Sequence, residues 1–265
     1  MNSKQYIKTI VEGLEVYFRT FALADNMLHC QTDGVEWIAP SPNGKGPAIV
    51  FGTSLDDISE DRVRRLMPDL QNGKIPALWV LSPLFEPKNV RDTLIASGFK
   101  DISSKEMPEY GMALDMKSLA NISAPNKCVE VKKVTSEADF RLWINVVNTA
   151  LHGWDLLTIE HYSIWLNRGE LSFYLGYING IPVSTAAAIQ NGRTASLEFV
   201  STLVQYRKQG AAYAVCLKTL QALRDKGIRT ATLRSSHEGF TLYKKLGFKP
   251  YYEQMLLNFQ KQQEV

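Results

Sequence analysis

The chain has 265 residues, room for one large or two ordinary domains. Hydrophobic residues make up 45% and charged residues 22%, the balance of an ordinary soluble globular protein. A net charge of +3, with basic residues dispersed rather than clustered, argues against a nucleic-acid partner. No apolar run approaches the ~18–20 residues of a membrane span, so no membrane partner is expected.

Met1-Asn2-Ser3-Lys4-Gln5 leads into no apolar signal core, and the expected compartment is the cytoplasm. The three cysteines, Cys30, Cys128 and Cys216, lie far apart without CxxC pairing, and the four histidines lack ligand spacing. Neither a disulfide framework nor a metal site is expected.

From Ser3 to about Ala24 apolar residues recur at helical spacing, among them Ile7, Ile10, Val11, Leu14 and Phe18. Strand-like runs follow at Met27 to Gln31, Val35 to Ala39 and Ala48 to Gly52. Leu55 to Met67 reads as a helix, with Ser54 and Asp57 as a loose capping box. Ala77 to Leu81 reads as a strand, and Asn89 to Ala96 as a helix stopped by Gly98. Ile102 to Met116 holds further extended residues. Lys117 to Lys127 has the composition of a connector, which divides the chain into domains 1–122 and 127–265.

Beyond the connector, Val129 to Val134 reads as a strand and Ser136 to about Leu151 as a helix, with Asp139 three residues after Ser136. Thr158 to Asn167 reads as another helix. Leu171 to Tyr177, Pro182 to Gln190 and Thr194 to Leu203 read as strands joined at Asn179-Gly180 and Asn191-Gly192, both hairpin signals. Arg207-Lys208-Gln209-Gly210-Ala211-Ala212 then opens an amphipathic helix running to about Lys226. A helix that begins with small residues leaves its N–H groups uncovered, and such an end binds an anion. Gly210, Ala211 and Ala212 let a phosphate approach the backbone; Arg207 and Lys208 add positive charge. The same pattern also occurs in α/β proteins that hold no phosphate. No GxxxxGK[ST] and no GxGxxG after a strand is present. Gly44-Lys45-Gly46-Pro47 lacks both the upstream glycine and the following Ser or Thr of a P-loop.

Arg-x-x-Gly-x-Ala at 207–212, a strand at Thr230 to Arg234, and then Leu242-Tyr243-Lys244-Lys245-Leu246-Gly247-Phe248 together resemble the GNAT-type N-acetyltransferases. The resemblance covers roughly Val129 to Phe259. It implies an α+β fold, a twisted mixed sheet flanked by helices, and acetyl-CoA as co-substrate with no metal. It implies pyrophosphate binding by Arg207, Lys208, Gln209, Gly210, Ala211 and Ala212, and contacts to the pantetheine arm from Thr202, Leu203, Val204 and Ser236. Tyr243, which precedes Leu-Gly-Phe as in the family, is implied as the acid that protonates the leaving thiolate; a core tyrosine is the alternative. Glu198 lies among apolar strand residues and is a candidate general base, since burial raises a carboxyl pKa. A solvent-facing carboxylate, with a water chain as base, is the other reading. Trp143, Trp154, Tyr162 and Trp165 suggest an aromatic wall to the acceptor cleft, or core packing.

Thr93-Leu94-Ile95-Ala96-Ser97-Gly98-Phe99-Lys100 resembles Leu242 to Lys249, which points to two copies of one fold or to two unrelated Gly-Phe caps. In the first copy Leu94 stands where Tyr243 stands in the second. Asp56, Asp57, Glu60 and Asp61 stand where phosphate would bind and would repel it. The first copy is therefore read as degenerate. The expected function is acetyl transfer to an unidentified primary amine of a small molecule or peptide, by direct attack in a ternary complex, in a monomer or homodimer. The rival is a GNAT-fold module that senses acyl-CoA or a metabolite without turnover.

Overall fold

The computed structural model describes residues 1–32, 34–51, 60–81, 83, 87–121 and 128–260. It divides into two compact units, Met1–Gly111 with Tyr251–Val265, and Met112–Pro250. This division does not follow chain order as the split at 122 and 127 does. The reason is backbone pairing: the last strand of the chain completes the sheet of the first unit.

In the first unit helix α1 (Ser3–Phe21) starts from a full capping box. Asn2 accepts the Gln5 N–H and Gln5 accepts the Asn2 N–H, both at 2.9 Å. Strands β1 (Met27–Thr32), β2 (Val35–Pro40), β3 (Ile49–Phe51) and β4 (Leu78–Leu81) fall where alternating and apolar runs place them. Buried Glu36 on β2 accepts from the Arg19 guanidinium at 2.6 and 2.7 Å and lies 2.7 Å from His29 Nε2, tying α1 to the sheet. Burial pushes the Glu36 carboxyl up, but these partners outweigh it and hold the group below its usual range.

Helix α2 (Glu60–Gln71) runs past Met67 through Pro68, which lies on its exposed face where the carbonyl it strands can reach water. The expected start at Leu55, its Ser54 cap, and Asp56 and Asp57 lie outside the described residues. Helix α3 (Pro87–Ala96) ends before Gly98, whose φ of +101° suits glycine. Strand β5 (Phe99–Asp101) follows, and the sheet order is β1-β2-β3-β4-β13-β5, with β13 being Met255–Phe259. Leu257 of β13 faces Trp79 and Asp101 across its two antiparallel partners. Its side chain packs fully buried with Trp79, Leu94, Phe99 and Phe259.

The second unit is built on a sheet of order β12-β6-β11-β10-β9-β8-β7. Its strands are β6 (Tyr110–Asp115), β7 (Val129–Lys133), β8 (Leu171–Ile178), β9 (Ile181–Asn191), β10 (Thr194–Thr202), β11 (Thr230–Ser235) and β12 (Lys249–Glu253). The β8–β9 turn has Asn179 at φ +51° and Gly180 at +78°, the left-handed pair that the Asn-Gly signal predicts. Helix α4 (Glu137–Val147) is capped by Ser136, which accepts the Asp139 N–H at 3.1 Å. It widens into one π turn, Asn148–His152, before Gly153 at φ +73°. Helix α5 (Ile159–Tyr162) is short and continues as a 3-10 segment to Asn167. Helix α6 (Ala211–Asp225) crosses from β10 to the parallel β11 and packs on β8 and β9.

Helix α7 (Phe240–Lys245) is shorter than the Ser236 to Leu246 pattern, because the expected Ser235–Glu238 box does not form. Ser235 Oγ donates instead to the Ser236 carbonyl at 2.8 Å, and Ser236 Oγ takes the Gly239 N–H at 3.2 Å. Trp143, Tyr162 and Trp165 are core, stacked among Phe140, Phe173 and Phe199 rather than lining a cleft; of the four only Trp154 is exposed. The insertion of β13 makes a prediction. Leu257→Ala should lower stability by about 2–5 kcal/mol in denaturant unfolding. Leu28→Ala on the exposed face of β1 should change it by less than about 0.5 kcal/mol.

Candidate active site

Strand β10 decides the geometry. Its parallel pairing with β11 covers only Thr194↔Thr230, Ala195↔Ala231 and Ser196↔Thr232. Past that point β11 runs on to Ser235 without ladder partners in β10, so the C-terminal ends of the two strands part. Parallel sheets bind ligands at such ends. On its other side β10 stays paired with β9, but the register slips between Glu198 and Ser201. Ala187 faces Glu198 and Thr185 faces Ser201, so Ala186 alone spans Phe199 and Val200. This is a bulge with one extra residue in β10. Phe199 carries it at φ +51°, a region that costs an L-residue about 1–2 kcal/mol.

Glu198 is the last residue before the bulge. Period two puts it on the face of Ser196, and the Ser196 hydroxyl does hydrogen-bond its carboxylate. The side chain is buried, so the solvent-facing reading is excluded. Desolvation raises its pKa to about 7, with the nearby Arg234 charge and the Ser196 hydrogen bond only partly opposing it. Tyr243 on α7 is buried as well. Desolvation, together with Cys216 and Glu198 nearby, pushes its phenol well above the ordinary value, so it stays protonated. A carboxyl that titrates near neutrality and a phenol that keeps its proton are thus within electrostatic reach of each other.

The cradle begins where β10 ends. Val204–Tyr206 form a single 3-10 turn, with Lys208 at φ +61° and Gly210 at +86°. Gly210 is the N-cap of α6 and offers no side-chain acceptor. The first intrahelical bond runs from Ala214 N–H to Gly210 O at 3.0 Å, so the N–H groups of Ala211, Ala212 and Tyr213 precede the helical ladder. A residue with a Cβ at Gly210 would be strained at φ +86°. The fit to an anionic group is therefore good.

Arg207, Lys208 and Gln209 are exposed. Arg207 lies 3.5 Å from Glu238 and donates to the Thr202 carbonyl at 3.4 Å. So exposed a pair is weak and exchanges readily for a phosphate oxygen.

The arm residues differ among themselves. Thr202 Oγ1 lies 2.9 Å from Ser184 Oγ, while Leu203 N–H is committed to Val183 O at 2.9 Å. Val204 is 70% exposed, at the open end of the cleft. Ser236 is exposed and accepts one N–H, leaving its hydroxyl proton to donate.

Sequence reasoning did not find the bulge, the Arg234 charge beside Glu198 or Cys216 beneath Tyr243. It also missed the hydroxyls of Ser184 and Thr185. Two adjacent hydroxyl residues at the head of the apolar run Ala186 to Ile189 were the available signal, since buried hydroxyls need partners.

Among the described residues no group of three or more His, Cys, Asp or Glu side chains is placed to hold a metal. No helix there is long and apolar enough to cross a membrane.

Residues 139–248, less than half of the chain, match the acetyltransferase (GNAT) family. The family brings acyl transfer from an acyl-CoA to an acceptor. A candidate acetyltransferase of Bacillus subtilis (strain 168) is 25% identical over 139 residues, 49% of this chain and 90% of its own. The fold is similar to that of a GCN5-related N-acetyltransferase from Kribbella flavida, with a TM-score of 0.63 at 16% identity over 93% of this chain and 95% of that one. It is also similar to a tandem GNAT protein from the clavulanic acid biosynthesis pathway, with a TM-score of 0.62 at 10% identity over 96% of both chains. The α+β GNAT fold is thereby shown.

Burial of Glu198 makes a prediction that needs no substrate. A carboxyl whose folded pKa lies above its unfolded value favours the fold most at low pH. That contribution disappears as pH rises from about 4.5 through about 7. Glu198→Gln removes the charge, so it should match the wild type near pH 4.5 and exceed it at pH 8 by up to about 3 kcal/mol in urea unfolding.

Proposed function

We propose that this protein is an acetyl-CoA-dependent N-acetyltransferase acting on a primary amine. The observation that carries the reading is the start of α6 behind Gly210, without a side-chain cap, in the same unit as two buried proton-transfer candidates, Glu198 on β10 and Tyr243 on α7. Amide formation from a thioester needs both: a group to accept the amine proton and one to protonate sulfur. Arg207 to Ala212 bind the pyrophosphate through backbone N–H groups and charge. Thr202, Val204 and Ser236 border the arm; Leu203 contributes shape rather than a donor.

Glu198 as carboxylate takes a proton from the amine as its nitrogen bonds to the carbonyl carbon. The C–S bond breaks as Tyr243 passes its proton to the leaving sulfur. Glu198 then loses its proton and Tyr243 regains one by exchange with water, so the enzyme returns unchanged. Direct attack in a ternary complex fits the buried Cys216, whose thiol is pushed far up by desolvation and makes a poor covalent carrier. The first unit is not a second active site, since Leu94 is core where a proton donor would stand. The protein acts in the cytoplasm as a monomer or homodimer.

Isothermal titration of acetyl-CoA is the test. The wild type should bind, Gly210→Glu should weaken binding at least about a hundredfold, and Gly210→Ala, with equal backbone strain but no charge, should lose much less. Tyr243→Phe should keep binding and lower kcat about 10²–10⁴-fold on a panel of amines. In the wild type kcat should rise with pH through about 7, and Glu198→Gln should flatten that limb. Acetyl-CoA binding without turnover of any amine would favour a sensor, and no binding would end both readings.

A further inference from the structure

Thr185 is fully buried in β9, beside Ala186, Ala187, Ala188 and Ile189. In so apolar a stretch valine would fill the same volume without a hydroxyl to satisfy. The hydroxyl has two partners, one within the bulge in β10 and one just past it. Thr185 Oγ1 donates to the Phe199 carbonyl at 2.8 Å and lies 2.7 Å from Ser201 Oγ. The Phe199 carbonyl is the one that the left-handed turn at that residue swings out of the ladder. Its neighbour Ser184 acts one step further along, donating to the Ser201 carbonyl at 2.7 Å. On the other side the Phe199 ring is fixed by Trp143 at 5.3 Å and Trp165 at 5.7 Å. The bulge is thus held by its ring on one side and its carbonyl on the other, immediately after Glu198.

We propose that Thr185 is a positioning residue: its hydroxyl staples Phe199 to Ser201 across the bulge and so holds the Glu198 carboxyl where β10 parts from β11. The kinetic part of this inference rests on the acetyltransferase reading, while the placement of Glu198 does not. Relaxing the staple lets the bulge slide toward regular pairing with β9. A one-residue slip in a strand turns its side chains to the opposite face, so Glu198 is what the slip would move.

The experiment compares wild type, Thr185→Val, Thr185→Ser and Ser201→Ala, each with a cooperative unfolding transition. The Glu198 carboxyl is titrated by NMR in glutamate-labelled protein, its resonance assigned by its loss in Glu198→Gln. Thr185→Val should displace that titration by about half a pH unit or more. It should lower kcat about tenfold, with KM and acetyl-CoA affinity changed less than about threefold. Thr185→Ser should restore both, and Ser201→Ala, which removes one of the two contacts, should fall between. An unmoved Glu198 titration in folded Thr185→Val overturns the proposal, as does a loss that serine does not rescue. If Thr185→Val fails to fold, Ser201→Ala decides on the same readouts. A wild type that neither binds acetyl-CoA nor turns over defeats the proposed function alone, and the titration still judges the staple.

Discussion

The early parting of β10 from β11 is the constraint on which the second unit depends. Three ladder pairs hold the strands together at their N-terminal ends, and none follow. A parallel pair that simply continued would fill the cleft with backbone hydrogen bonds. The bulge at Phe199 bends β10 toward β9, where pairing resumes at Ser201 and Thr202. The strained φ is tolerated because the ring sits in a buried aromatic cluster and the carbonyl finds the Thr185 hydroxyl. The fold absorbs a local cost at one residue, and an open site between two strands results.

Desolvation acts on two titratable side chains of the second unit. Burial penalises the charged form of any acid, so it lifts Glu198 and Tyr243 alike. The carboxyl starts low and arrives near neutrality, where it changes state within the physiological range. The phenol starts high and moves beyond it, remaining a donor. Arg234 limits the climb of Glu198 and keeps a usable fraction ionised. The cradle works by another principle. It has no side-chain cap at the start of α6, and the exposed Arg207 and Lys208 lie just before it.

The two ends of the chain are woven differently from their order. Strand β13, at the C-terminal end, sits between β4 and β5 of the first unit, while β6 enters the sheet of the second beside β11 and β12. Sheets accept a strand by hydrogen-bonding edges and apolar faces, without regard to sequence distance. Leu257 and Phe259 supply the apolar face that the first unit lacks in its own stretch of chain.

Much of this was legible from local pattern. Periodicity and turn signals located most strands and helices, though not β5, β12 or β13, because the 3.6 and 2.0 periods and the Asn-Gly turns are set by neighbours within a few residues. The turn into α6 was legible for the same reason: a strand, a glycine and small residues at a helix start are contiguous. Tertiary structure alone decided the rest. Phe199 is no turn residue, and only the cross-strand partners Thr185 and Ser201 place it at positive φ. The face of Glu198 was open until burial and Ser196 closed the question. The aromatic residues of α4 and α5 went to the core because Phe173 and Phe199, distant in sequence, complete their packing. Local sequence determined which elements form; contacts between distant strands determined that Glu198 and Tyr243 are buried and that β10 parts from β11.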